Sequence, residues 1–188
     1  VLGRSPSHRK ALLRNLASSL FLTEMEPLGL DNQPKVKGRI VTTLQKAKEV
    51  RPLVEKCITI ARRAAVHIEE AEKYGTTEQR GSQAWRAWRD SQRHAQWVAA
   101  IAPAVAARRR AFRLLRNKEA VRILFDDVAP RLADRPGGYT RILRLSKPRL
   151  GDAGVRAILE FVGVRDRGAQ RAPAPKFEEA QSQPAAES

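Results

Sequence analysis

The stretch from Arg135 to Leu145, RPGGYTRILRL, constrains the fold more than any other part of the chain. Pro136 fixes its own φ and restricts Arg135, while Gly137 and Gly138 admit positive φ and leave room for a close backbone approach. The residues that follow alternate arginine with apolar side chains. Such a string reverses the chain tightly and enters a β-strand. Alternation along that strand sends Tyr139, Arg141, Leu143 and Leu145 to one face and Thr140, Ile142 and Arg144 to the other, so the two arginines cannot form one patch. A turn around KPRLGD, Lys147 to Asp152, then leads into VRAILEFV, Val155 to Val162, and the two runs predict a hairpin.

Ahead of the hairpin the period is helical. Ser7 is a candidate N-cap for a helix in which Leu12, Leu13, Leu16, Ala17 and Leu20 form an apolar stripe, with Arg9, Lys10 and Arg14 on the other face. EPLGLDNQPKVKG, Glu26 to Gly38, reads as a loop, and Arg39 to Thr42 as a short strand. Thr43 is placed to cap the next helix, with Leu44, Ala47, Val50, Val54, Ile58 and Ala61 at helical spacing and Lys46, Lys48, Arg51, Lys56, Arg62 and Arg63 between them. Pro52 predicts a kink or a restart within it. Further on, Arg108, Arg109, Arg110 and Arg113 mark a basic helix, and Asn117 is a cap for another through Ala120, Val121, Leu124, Phe125 and Val128.

From Val66 to Pro103 the character changes. Glu69, Glu70 and Glu72 cluster, Gly75 and Gly81 interrupt, and Trp85, Trp88 and Trp97 supply every tryptophan of the chain. Helical flanks on both sides of the glycines predict a helical hairpin. Trp85 and Trp88, three residues apart, share a helix face, and core packing is the favoured role; base stacking beside Arg86, Arg89 and Arg93 is the alternative. The expected organisation is therefore a core of residues 1–65 and 104–164, a helical insertion 66–103 and a tail 165–188. In the tail Arg165, Arg167, Arg171 and Lys176 balance Asp166, Glu178, Glu179 and Glu187, and its Ala, Pro, Gln and Ser content predicts disorder.

The tail thus contributes nothing to the net charge of +16 carried by the 188 residues, and the surplus lies on the part expected to fold. A surplus of that size attracts polyanions, and nucleic acid is favoured over an anionic membrane. No apolar run is long enough to span a bilayer, and no secretory signal is visible. Cys57 is the single cysteine and reads as a small core residue.

Catalysis has little to stand on. His8, His67 and His94 are scattered, without a second ligand at metal-site spacing. Asp126 and Asp127 are adjacent on a helix, so their side chains diverge by about 100° and read as helix surface. Gly137-Gly138 lacks the spacing and the following helix of a phosphate loop. No cofactor, metal or small-molecule substrate is expected. Arginine and lysine spread over several elements, with few aromatics, describe a surface that neutralises phosphates and suits structured RNA.

GGYTRIL, SHRKALLRNLASSL (Ser7 to Leu20), TTLQKAKEVRPLVEKCITIA (Thr42 to Ala61) and RRAFRLLRNKEAVRILFDDVAPRLADR (Arg109 to Arg135) together resemble, in sequence and in order, the bacterial ribosomal protein L17 family of the large subunit. The resemblance implies an α+β fold, helices packed on a small mixed sheet, with large-subunit rRNA and neighbouring large-subunit proteins as partners near the polypeptide exit region, and no catalytic activity. By matching positions it implies RNA contacts at Arg4, His8, Arg9, Arg14, Asn15, Lys46, Lys48, Arg109, Tyr139 and Arg141. The basic helix faces add Lys10, Arg51, Arg108, Arg110 and Arg113. Arg141 is the preferred phosphate contact on the hairpin, whereas Arg144 has a structural alternative, pairing with Glu160.

Three departures from the family pattern stand out. Members begin with a methionine and a short arginine-rich arm ahead of Leu2-Gly3-Arg4, so such an arm is expected to be missing from a chain that opens at Val1. The loop from Pro27 to Gly38 is longer than usual, and 66–103 looks inserted. A free-standing nucleic-acid-binding regulator or RNA chaperone is the competing reading, and an RNA-modifying enzyme the third. The expected location is the cytoplasmic ribosome of a bacterium rather than an organelle, since no transit peptide is visible.

Overall fold

The computed structural model describes residues 2–25, 34 and 36–163. Along the chain these form α1 (Pro6–Leu22), β1 (Arg39–Thr43), α2 (Leu44–Glu72), α3 (Gln83–Arg89), α4 (Gln92–Leu115), α5 (Lys118–Ile123), a π-helical turn (Leu124–Val128), α6 (Ala129–Arg131), β2 (Thr140–Arg144) and β3 (Arg156–Phe161). The α+β class is as expected. The loop from Glu26 lies mostly, and the tail 165–188 wholly, outside the described residues.

Proline decides two of the helix readings. Pro6 stands in the first turn of α1, where its fixed φ suits a helix start, so the N-cap position is Ser5 and not Ser7. In α2, Pro52 causes no restart: the helix runs 29 residues through it. Pro52 lies on the exposed side, and the carbonyl it leaves without a helical donor is that of Lys48, a residue that is also exposed. Thr43 occupies the N-cap of α2 without a side-chain bond, whereas Asn117 caps α5 as expected, its Oδ1 accepting from the Ala120 N–H at 2.9 Å. Ser18 donates to the Leu115 carbonyl at 3.1 Å, which joins α1 to the end of α4.

The sheet has the order β1-β3-β2 and both pairings are antiparallel. The expected mixed sheet is thereby corrected. The β2–β3 hairpin fixes one pairing, and the free edge of β3 meets β1 running in the opposite sense. Register also corrects the pairing across the hairpin. Arg141 stands opposite Glu160 and Arg144 opposite Ala157. Arg144 and Glu160 therefore project from opposite faces. It is Arg141 whose Nε donates to Glu160 Oε1 at 2.5 Å, with Arg39 at 4.0 Å on the other side.

α2 is the axis of the core. Its Val50, Val54, Cys57, Ile58 and Ala61 are buried together with Leu20 and Phe21 of α1, Leu124 and Val128 of the π-helical turn, and Leu159 of β3. Phe21 and Phe161 close one end, ring centroids 5.5 Å apart. Beyond Ala64 on α2 and before Ala104 on α4 the same two helices continue outward as a projection, so Val66 and Pro103 lie inside helices and not at their ends. Its tip is built on Trp88, whose indole N–H donates to the Tyr74 carbonyl at 3.1 Å and whose ring meets His94 and Trp97 edge-on at 4.8 and 5.8 Å.

Candidate nucleic-acid interface

The turn that opens β2 is held from α2 at both ends. The Glu55 carboxylate accepts from the Tyr139 N–H at 3.1 Å, the Thr140 N–H at 2.9 Å and the Thr140 hydroxyl at 2.7 Å. Two helical turns on, Arg62 donates to the carbonyls of Ala133 and Arg135 at 3.3 and 2.9 Å. An anion on the N–H groups and a cation on the C=O groups match the polarity of the segment they grip. Of the two glycines, Gly138 alone has positive φ, +65°. Among the described residues, its chain neighbours aside, none comes within 4 Å of where a Cβ on Gly137 would stand, and Gly137 borders a hollow with Arg131, Arg135 and Pro136.

This grip sets β2 against the first turns of α2 and assembles a cationic groove. Lys48 and Arg51 of α2 face Arg144 of β2 across a floor of Leu44 and Ile142. All three cations are exposed. Glu55 approaches Arg51 only to 3.9 Å, and no carboxylate among the described residues pairs with Lys48 or Arg144. Three cations at a concave surface focus their field and suit the phosphates of a polyanion. Sequence reasoning had Lys48 and Arg51 but passed over Arg144, because the nearest carboxylate across the hairpin offered it a partner that the register gives to Arg141.

A second groove lies between α2 and α4, where Arg63 and Arg110 stand beside His67, Thr59 and Pro103. Arg109 and Arg113 are also exposed on α4. Arg108 is engaged within the chain, 2.9 Å from Asp126 and stacked on Phe125 at 4.7 Å. On α1, Lys10 and Asn15 are exposed while Arg9 and Arg14 are half-buried, and Arg4 Nη1 stands 3.1 Å from the His8 ring nitrogen Nε2. Lys46, half-buried, lies between Leu44 and Lys48 on α2 but does not line the first groove.

Two of the expected contacts change character. Tyr139 is 1% exposed, packed in the core with its hydroxyl 3.4 Å from the Pro136 carbonyl, so its ring is not an RNA-facing surface. β2 begins one residue later, at Thr140, so the alternation expected from Tyr139 onward does not include it. Arg141 is held by Glu160. Among the described residues no cluster of His, Cys, Asp and Glu could hold a metal ion, and no helix is long and apolar enough to cross a membrane.

Comparison with known proteins identifies the family. The family model for Ribosomal protein L17 matches residues 12–162. The chain is 60% identical to the large ribosomal subunit protein bL17 of Rhodopirellula baltica over 179 residues, 95% of this chain and 85% of that one. It is 35% identical to the bL17 of Akkermansia muciniphila over 95% of this chain and 92% of that one, and 34% identical to the bL17 of Chlorobium limicola over 92% and 78%. The family match runs from Leu12 within α1 to the end of β3, with 66–103 inside its bounds: the chain belongs to the ribosomal protein L17 family.

Proposed function

We propose that this chain is a structural constituent of the large ribosomal subunit in a bacterial cytoplasm, without catalytic activity, and that it binds large-subunit rRNA beside neighbouring ribosomal proteins. The observation that carries RNA binding is the groove of Lys48, Arg51 and Arg144, three exposed cations brought from two elements onto one concave surface. The α1 face with Arg9, Lys10 and Arg14 and the α4 face with Arg109, Arg110 and Arg113 extend the same chemistry. Lys and Arg without aromatic interleaving contact phosphates, so recognition follows RNA shape. The names of the relatives support the large subunit as the assembly, and the family resemblance supports a position near the polypeptide exit region.

Sedimentation of a cell lysate at physiological and then high salt tests the assembly. The protein travels with the large subunit and survives the wash; a free-standing regulator or chaperone trails at the top of the gradient. Binding of large-subunit rRNA over a salt series tests the groove. Lys48→Gln with Arg144→Gln lowers affinity and makes the slope of log K against log salt less negative by about 1.4 to 1.8, two phosphates at about 0.7 to 0.9 each. An unchanged slope with an unchanged circular dichroism spectrum removes the groove from the interface.

A further inference from the structure

The tip of the projection separates its tryptophans. Around α3, at about 100° per residue, Trp88 lies about 60° to one side of Trp85, while Arg89 lies about 40° and Arg86 about 100° to the other. Trp88 faces inward, bonded to Tyr74 and packed on His94 and Trp97. Trp85 sits at the boundary, only half-buried, with the Arg89 guanidinium over its ring at 5.2 Å. No residue of α3 is buried. Between Gln79 and Arg93 the chain carries Arg80, Arg86, Arg89 and Arg93 against the single acid Asp90. Arg93 is committed to the Lys73 carbonyl at 3.1 Å, whereas Arg80, Arg86 and Arg89 are exposed and no carboxylate among the described residues pairs with them.

We infer that this outer face of α3 binds an unpaired stretch of large-subunit rRNA, a reading that rests on the function proposed above. Trp85 offers an indole face on which a base stacks, the Arg89 guanidinium over the ring adds a cation to that stack, and Arg86 and Arg80 neutralise the flanking phosphates. Charge decides the partner. A single half-buried indole ringed by cations lacks the apolar area a protein surface would cover, and its excess positive charge matches a strand that carries one phosphate per nucleotide. A duplex keeps its base faces stacked, so the partner is a loop or a bulge.

The test uses the full chain with protein-free large-subunit rRNA, and then with assembled subunits. Trp85→Ala weakens binding to the rRNA by about 5- to 150-fold, the range for one stacked base, while Trp85→Phe retains most of the affinity. Arg86→Gln with Arg89→Gln makes the salt slope less negative by about 1.4, two single-strand phosphates. Emission from Trp88 and Trp97 stays unchanged in both, because neither substitution enters the tip cluster. Variants that bind rRNA and enter subunits like the wild type overturn the inference and leave the groove intact. Variants that bind naked rRNA normally but fall out of subunits assign the face to a protein neighbour and overturn it equally. Failure of the wild type to bind rRNA brings down both readings.

Discussion

Glu55 and Thr140, 85 residues apart in the chain, are joined by two hydrogen bonds to a single carboxylate oxygen, 2.9 Å from the backbone N–H and 2.7 Å from the hydroxyl. The other oxygen takes the Tyr139 N–H at 3.1 Å. Thr140 is 2% exposed, so without the carboxylate its donors are left in the core with no water to meet them. Glu55→Ala is expected to cost about 2 to 4 kcal/mol, and Glu55→Gln less, because an amide oxygen still accepts. Urea unfolding measures this, and a loss below about 0.5 kcal/mol would mean that other contacts hold the turn.

Gly137 and Gly138 are expected to respond differently to alanine. Gly138 has φ +65°, so Gly138→Ala costs about 1 to 2 kcal/mol in backbone strain although space is open around it. Gly137→Ala leaves stability within about 0.5 kcal/mol, since neither φ nor a neighbour opposes a Cβ there. If the openness of Gly137 serves an approaching RNA backbone, the same substitution lowers rRNA affinity at unchanged Tm; equal affinity would make the residue an ordinary turn glycine.

What the sequence disclosed was local. The stripe of α1, the Asn117 cap and the β2–β3 hairpin each arise from residues within a few positions of one another, and each was visible as a period or a turn. Glu55 was invisible because its partners lie 84 and 85 residues away, and nothing in KEVRPLVEK distinguishes a clamp from a solvated glutamate. Tyr139 and Arg144 were misassigned for a related reason. Tyr139 lies just ahead of a strand that begins at Thr140, and Arg144 lost Glu160 to Arg141 through a cross-strand register that neither strand reveals by itself.

Cys57 is expected to be silent toward thiol reagents in the native protein. Burial pushes its thiol from 9.0 up to about 12, with Lys56 a smaller opposing influence. The folded pKa lies above the unfolded one, so the contribution to stability is complete below about pH 9 and is lost as pH rises toward about 12, where the unfolded chain gains by ionising and the native one does not. The stability of the wild type relative to Cys57→Ala therefore falls across that window, by about 3 to 4 kcal/mol at its end. A difference that stays flat with pH would place the thiol in contact with water.

Replacing 66–103 by a short glycine-serine bridge is expected to leave the remaining core folded and competent for rRNA. Pro103 borders the same groove as Ala64, so the cut ends lie side by side. The deletion removes Ala71, Ile68 and Ile101 from the α2–α4 seam, and a lower Tm follows. Loss of cooperative unfolding would show that the core reaches into the projection.

The uninterrupted course of α2 has a mechanical consequence. The helix starts directly where β1 ends, and its 29 residues extend about 43 Å at 1.5 Å each. A tilt of about 5° at the sheet end displaces the far end by about 4 Å, beyond the reach of a hydrogen bond. For a surface that met the proposed groove at one end and the proposed tip face at the other, the helix would therefore act as a vernier that fixes the inclination at which the chain docks.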